Sequence, residues 1–223
     1  MPAPDDSSSD NGRANAPKAN LSRRLFIKTV GSTAAATTIT AAGQAAAQVI
    51  AQRDDDPVRG PGPIDITLTI NGEAKRVKIE PATTLLDTLR VYLNMTGSKE
   101  ICDRGSCGGC SVLVDGKLTV SCMMLAVDAE GVEVTTIEGL SKGSALDPIQ
   151  ESFVRHDALQ CGYCTPGLVV ACRALLNKYP KPDLNQIKHE LSGNICRCGT
   201  YTNVFNAVLE ASNQKPIVDQ EAR

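Results

Sequence analysis

Nine cysteines but only two histidines, His156 and His189, stand in a chain of 223 residues. That ratio favours a metal chemistry built on thiolates alone over mixed Cys/His sites. An odd number of cysteines fits poorly with a framework of disulfides. It fits well with two sets of four ligands and one spare.

Cys102, Cys107 and Cys110 read C-x4-C-x2-C, with Cys122 following. The first three have the ligand spacing of plant-type ferredoxins, in which four thiolates complete the coordination of the two irons of a [2Fe–2S] rhomb. Taking three ligands from one loop forces the backbone to wrap round the cluster. Positive φ and close approach follow, and Gly105, Gly108 and Gly109 stand where the wrap is tightest. The wrapped N–H groups can then point at sulfur. Zinc ligands usually come as two paired C-x2-C knuckles, a poor match here. A phosphate cradle is excluded too, because no Lys-Ser/Thr follows the glycines and the next element is a strand.

Cys161 and Cys164 form a C-x2-C, and Cys196 and Cys198 a C-x-C. The first pair precedes Thr165-Pro166, so the positive end of a helix would favour its thiolates. A thioredoxin-like redox pair lacks its βαβ context. Zinc stays open as an alternative for these four, and so does a metal-free disulfide protein. Cys172, inside an apolar helical run, is expected to be a packing thiol, and His156 and His189 to be surface or interface side chains.

The elements that must position these cysteines follow from hydrophobic period. Ile64, Ile66, Leu68 and Ile70 alternate as a strand, Asn71-Gly72 makes a tight hairpin, and Val77 and Ile79 lie on the returning strand. Thr84 with Asp87 opens a helix carrying Leu85, Leu86, Leu89 and Leu93. A second hairpin turns at Asp115-Gly116 and brings Cys122 back to the loop, and a last strand covers 132–137. Past Ser141 the period is helical. Starts are expected at Asp147-Pro148, at Thr165-Pro166 with Thr165 as cap, and at Asp183 with Gln186; a fourth helix covers about 203–211. The expected fold class is α+β: a β-grasp, ferredoxin-like domain over 64–140, then an all-α four-helix bundle over 141–223 that includes a C-terminal tail.

Ahead of these, Ser22-Arg23-Arg24-Leu25-Phe26-Ile27-Lys28 resembles the twin-arginine export motif. An Ala/Thr-rich stretch follows and ends in Ala45-Ala46-Ala47, a small-residue cleavage pattern. It is poor material for a membrane span. Residues 1–47 are therefore read as a cleaved signal peptide, 48–63 as a linker, and the periplasm as the destination, with no stable membrane insertion. Export of already folded protein suits a chain whose cysteines must meet iron before an oxidising compartment. A net charge of −2, 3% aromatic residues and no Trp argue against nucleic-acid binding.

Gln160-Cys161-Gly162-Tyr163-Cys164-Thr165-Pro166-Gly167 and Gly193-Asn194-Ile195-Cys196-Arg197-Cys198-Gly199-Thr200-Tyr201 resemble the two motif strings of the iron–sulfur subunits of molybdenum hydroxylases, the xanthine dehydrogenase and aldehyde oxidoreductase family. The resemblance, with the upstream loop, extends from about Ile64 to Ala211. It implies two [2Fe–2S] clusters. Cys161, Cys164, Cys196 and Cys198 would hold the one nearer the molybdenum–pterin centre of a large partner subunit. Cys102, Cys107, Cys110 and Cys122 would hold the one nearer the FAD of another partner. It also implies that Gln160 touches the pterin. No G-x-G-x-x-G follows a strand and no nucleophile–base pair is evident, so substrate chemistry is expected in a partner and electron relay in this chain. Together with the leader, the resemblance is to the exported aldehyde oxidoreductases. A subunit acting with purine or heterocycle hydroxylases is the alternative.

Overall fold

Alternating burial along Ile64–Ile70 is realised as strand β1, with Ile66, Leu68 and Ile70 fully enclosed. The computed structural model describes residues 60–217. The expected signal peptide, nearly all of the linker and the last residues of the tail lie outside them. β1 pairs antiparallel with β2 (Glu73–Ile79) through a hairpin whose Asn71 and Gly72 have φ of 54° and 79°. This is the left-handed pair that a two-residue turn needs to match strand twist. Asp115 and Gly116, at 46° and 75°, join β3 (Ser111–Val114) to β4 (Lys117–Val120) in the same way.

β5 (Glu133–Thr135) is shorter than the expected strand and fills the centre. It runs parallel to β1 and antiparallel to β3, giving the order β2-β1-β5-β3-β4. One face of this mixed sheet is covered by α1 (Leu85–Asp87), which continues as a π-helical stretch over Thr88–Tyr92. Thr84 caps it, accepting from the Asp87 N–H at 3.1 Å. So short a helix has little stability of its own. Leu85, Leu86 and Leu89 are fully buried, and at about 1.5–3 kcal/mol each their burial is what holds it in place.

Four helices follow: α2 (Pro148–Arg155), α3 (Thr165–Lys178), α4 (Leu184–Glu190) and α5 (Tyr201–Ala211). The expected starts of α2 and α4 are present as full capping boxes, Asp147 with Gln150 and Asp183 with Gln186. The third differs. Cys164, not Thr165, is the capping residue of α3, and Pro166 is the second helical residue. α3 is apolar almost all round and runs through the middle of the helical core, with Leu168, Cys172 and Leu175 enclosed. The Arg173 guanidinium ties α3 to the Asp147 cap of α2 at 3.2 and 3.3 Å.

The chain is thus α+β. The sheet and the helices each have their own apolar cluster, α3 also lies against β3 and β4, and the described residues fall within one compact unit. Among the described residues, no helix is long and apolar enough to cross a membrane.

Candidate metal centres

The first cysteine loop is closed at its base before it wraps. Arg90 Nη1 donates to the carbonyls of Thr96 and Ser98 at 3.1 and 2.7 Å, and the Lys99 N–H donates to the Gly109 carbonyl at 3.1 Å. Inside the loop Asp103, Gly105 and Gly108 have φ of 51°, 71° and 70°. The turned backbone aims N–H groups inward. Gly105 donates to Cys122 Sγ and Ser106 to Cys102 Sγ, both at 3.3 Å. Cys122 lies in a single 3₁₀ turn (Ser121–Met123) directly after β4, where Ser121 Oγ donates to the Cys110 carbonyl at 2.7 Å. Cys110 and Cys122 are 3% and 6% exposed and pack with Leu86 and Val120. Cys102 and Cys107 are half-buried.

The thiols meet in pairs. The Arg104 backbone N–H, helped by the neighbouring Cys107 thiol, brings Cys102 down to about 7. Burial pushes Cys107 up, and pushes Cys122, which faces Cys110, up to about 11.

The second group is assembled from helix ends. Cys164 stands at the positive end of α3, with Cys161 one turn earlier, exposed, past the positive-φ Gly162. Cys196 and Cys198 occupy the turn between α4 and α5. There the Cys196 N–H reaches Tyr201 Oη at 2.8 Å, and its Sγ lies 3.3 Å from Thr200 Oγ1. Burial pushes Cys164 up to about 12. Burial acts the same way on Cys196, but the Thr200 hydroxyl and N–H, with the Cys164 thiol, outweigh it and bring Cys196 down to about 7. Cys198 is half-buried against the helical core, and its backbone N–H also serves Cys196.

These residues fit two-iron clusters. Every donor is sulfur, peptide N–H groups already face the sulfurs, and glycines leave room for the backbone to wrap. The thiols approach as Cys102 with Cys107, Cys110 with Cys122, and Cys164 with Cys196. Among the described residues no three metal-binding side chains converge on one ion position. Gln160 is exposed beside Cys161.

The two loops also interlock. The Ile195 N–H donates to the Cys107 carbonyl at 2.9 Å, and Tyr163 Oη to the Glu100 carbonyl at 3.2 Å. Asn194 Nδ2 lies 3.0 Å from the Gly108 carbonyl and 3.3 Å from that of Gly167.

A family described as [2Fe–2S] binding domain matches residues 136–209. Over 87% of this chain and 90% of its own length, the aldehyde oxidoreductase iron-sulfur-binding subunit PaoA of Escherichia coli K12 is 38% identical. The chain belongs to the iron–sulfur subunits of the molybdenum hydroxylases. Another relative within this molybdenum-hydroxylase family is the xanthine dehydrogenase iron-sulfur-binding subunit of Escherichia coli O157:H7, 42% identical over 68% of the chain and 96% of the relative. Among solved structures, quinoline 2-oxidoreductase from Pseudomonas putida 86 superposes with a TM-score of 0.66 at 40% identity, covering 70% of this chain and 100% of that one. As a member of this family the protein carries electrons within an oxidoreductase complex.

Reading the sequence missed several residues of the two sites. Asn194, Ser111 and Thr200 touch the loops or their sulfurs, yet the partners of Asn194 lie far away in sequence, 86 residues in the case of Gly108. No local pattern announces such contacts. Cys172 behaves as expected: it is fully enclosed, and burial pushes its thiol up. His189 is exposed, whereas His156, expected at the surface or at an interface, is buried within the chain. It is 5% exposed, with Nε2 2.5 Å from a carboxylate oxygen of Glu210 on α5. It closes α2, and α2 packs on α5, which turns that end inward.

Proposed function

We propose that this chain is the electron-transfer subunit of a periplasmic, molybdenum-containing aldehyde oxidoreductase, working with a large molybdenum-cofactor subunit and an FAD subunit. The paired approach of Cys102 with Cys107, Cys110 with Cys122, and Cys164 with Cys196, with Cys161 and Cys198 beside the last pair in sequence, carries the reading. Cys102, Cys107, Cys110 and Cys122 would hold one [2Fe–2S] cluster, and Cys161, Cys164, Cys196 and Cys198 the other. Each cluster, when bound, stores and releases one electron.

The chain's own residues do the rest. Leu86 and Val120 shield Cys110 and Cys122 from water, and the N–H groups of Gly105 and Ser106 lower the charge felt at sulfur. Cys161 is the exposed ligand of the helical site, beside an apolar groove of about 320 Å³ lined by Ile137, Phe153, Val154, Leu159 and Pro166. That groove suits the molybdenum subunit, with Gln160 reaching its pterin. On the ferredoxin-like side, exposed Val91, Tyr92, Ile101 and Met123 offer a second apolar surface for the FAD subunit. Electrons would enter at the helical site and leave at the ferredoxin-like one.

The twin-arginine leader over 1–47 and the domain division near residue 140 are part of the same proposal. The Ser22-Arg23-Arg24-Leu25-Phe26-Ile27-Lys28 run and the Ala45-Ala46-Ala47 pattern support the leader. A second reading is favoured by the 40% identity to the quinoline 2-oxidoreductase chain and the 42% identity to the xanthine dehydrogenase iron-sulfur-binding subunit: the partner would hydroxylate a heterocycle. Turnover of aldehydes against purines and quinolines by the purified complex decides between them.

Protein purified with its native partners is expected to contain about four irons and four sulfides per chain. Stoichiometric zinc without iron would end the cluster reading, and disulfides found by thiol counting after denaturation with chelator would do the same. Changing both Arg23 and Arg24 to Lys is expected to leave the protein in the cytoplasm by cell fractionation, and unchanged export would remove the leader from the proposal.

A further inference from the structure

Between the two thiol groups the backbone itself makes contact. Ile195, the residue before Cys196, donates its N–H to the carbonyl of Cys107 at 2.9 Å. One hydrogen bond therefore links a ligand of the first site to the neighbour of a ligand of the second. The remaining atoms along that route are the covalent bonds of Cys107, Ile195 and Cys196.

Asn194 adjoins this bond and is 4% exposed. Its Nδ2 faces the Gly108 carbonyl at 3.0 Å, the Gly167 carbonyl at 3.3 Å and Ser111 Oγ at 3.4 Å. A primary amide has two N–H donors, enough for one to each carbonyl. The Asn194 backbone is itself fixed, its N–H donating to the Leu191 carbonyl just after α4 at 3.0 Å. The approach depends on a missing side chain, since a Cβ on Gly108 would lie 2.5 Å from Asn194 Nδ2. Tyr163, the other link between the loops, is half exposed and bonds through its side chain. It lies off the backbone route.

We propose that Asn194 is a positioning residue for electron transfer between the clusters. By tying the carbonyls of Gly108 and Gly167 together, it holds the Ile195 N–H on the Cys107 carbonyl, and that hydrogen bond is the bridge the electron crosses. The inference rests on the two-cluster reading. In the step, one electron leaves the helical-site cluster, which is oxidised, and reduces the ferredoxin-like one. No bond is made or broken and no proton moves. Tunnelling weakens steeply with separation, and covalent and hydrogen-bonded links carry it better than gaps, so lengthening or breaking this link slows the step.

The test uses the full chain, cluster-loaded and purified with its partners, as wild type, Asn194→Asp and Asn194→Ala. Asp keeps the shape but turns a carboxylate towards two carbonyls, whereas Ala removes the contact. Iron and sulfide content, the EPR g-values of each reduced cluster, the dipolar splitting between them when both are reduced, and the rate at which a photo-injected electron equilibrates between them are measured. Both variants are expected to keep their iron and both sets of g-values, to show altered splitting, and to equilibrate more slowly than wild type. Wild-type splitting and rate in both would overturn the assignment. So would loss of iron from both, which would make Asn194 an assembly residue. Wild-type protein with a single cluster signal would instead bring down the two-cluster reading, and this inference with it.

Discussion

Cys107→Ser protein, reduced under anaerobic conditions, is expected to show one EPR signal where the wild type shows two. The serine hydroxyl is too weak an acid to act as the anionic ligand that a thiolate supplies at neutral pH. With one of four ligands gone, the ferredoxin-like site is expected to lose its cluster, and about half of the iron and sulfide should disappear with it. The helical site should survive, because what Cys107 offers it is a carbonyl, accepting from the Ile195 N–H at 2.9 Å, and the substitution leaves that carbonyl in place. The surviving signal should keep its g-values. Two unchanged signals would contradict the placing of Cys107 among the ligands, and loss of both would mean that the two sites cannot be filled independently.

Gly167→Ala is expected to be the more damaging change to the fold itself. Gly167 lies in the first turn of α3, where alanine would ordinarily favour the helix by about 1 kcal/mol. Here the new Cβ would run into the Gly108 carbonyl oxygen, and would lie 2.9 and 3.0 Å from the Gly109 Cα and carbonyl carbon. These are backbone atoms between Cys107 and Cys110, so they cannot swing aside as a side-chain end would. Overpacking of this kind costs about 1–3 kcal/mol, and each weakened hydrogen bond to Asn194 adds about 1 kcal/mol. A net loss of about 2 kcal/mol is expected, or a thermal midpoint lower by about 4–8 °C. Gly193→Ala is the control: its Cβ would meet nothing within 4 Å, and its φ is not positive. Equal melting of Gly167→Ala and wild type would show that the loops can part without cost.

Much of this architecture is written locally. The β1–β2 hairpin follows from period-two isoleucines and an Asn-Gly turn, and the capping boxes of α2 and α4 from Asp followed three residues on by Gln. These signals are legible because each is an interaction between residues a few positions apart. The cap of α3 lies one residue earlier than the Thr165-Pro166 signal suggests. That dipeptide also suits a helix whose first residue is Thr165, and only the path of the Cys161–Cys164 turn separates the two. The burial of His156 escapes the sequence for a related reason, since it depends on α5, more than forty residues away.

By spacing alone the sequence picks out Cys102, Cys107 and Cys110 as one expected set with glycines lining it, and its resemblance to the family adds Cys161, Cys164, Cys196 and Cys198 as an expected second. Ligand identity needs only residue type and short-range order. Tertiary structure alone decided that the two groups abut, that Gly108 and Gly167 press backbone against backbone, and that a buried Asn194 joins them. Those contacts arise only when α3, the turn before α5 and the Cys107–Cys110 loop are brought together by burying their apolar faces, and a linear pattern carries no record of which distant carbonyl an amide will meet.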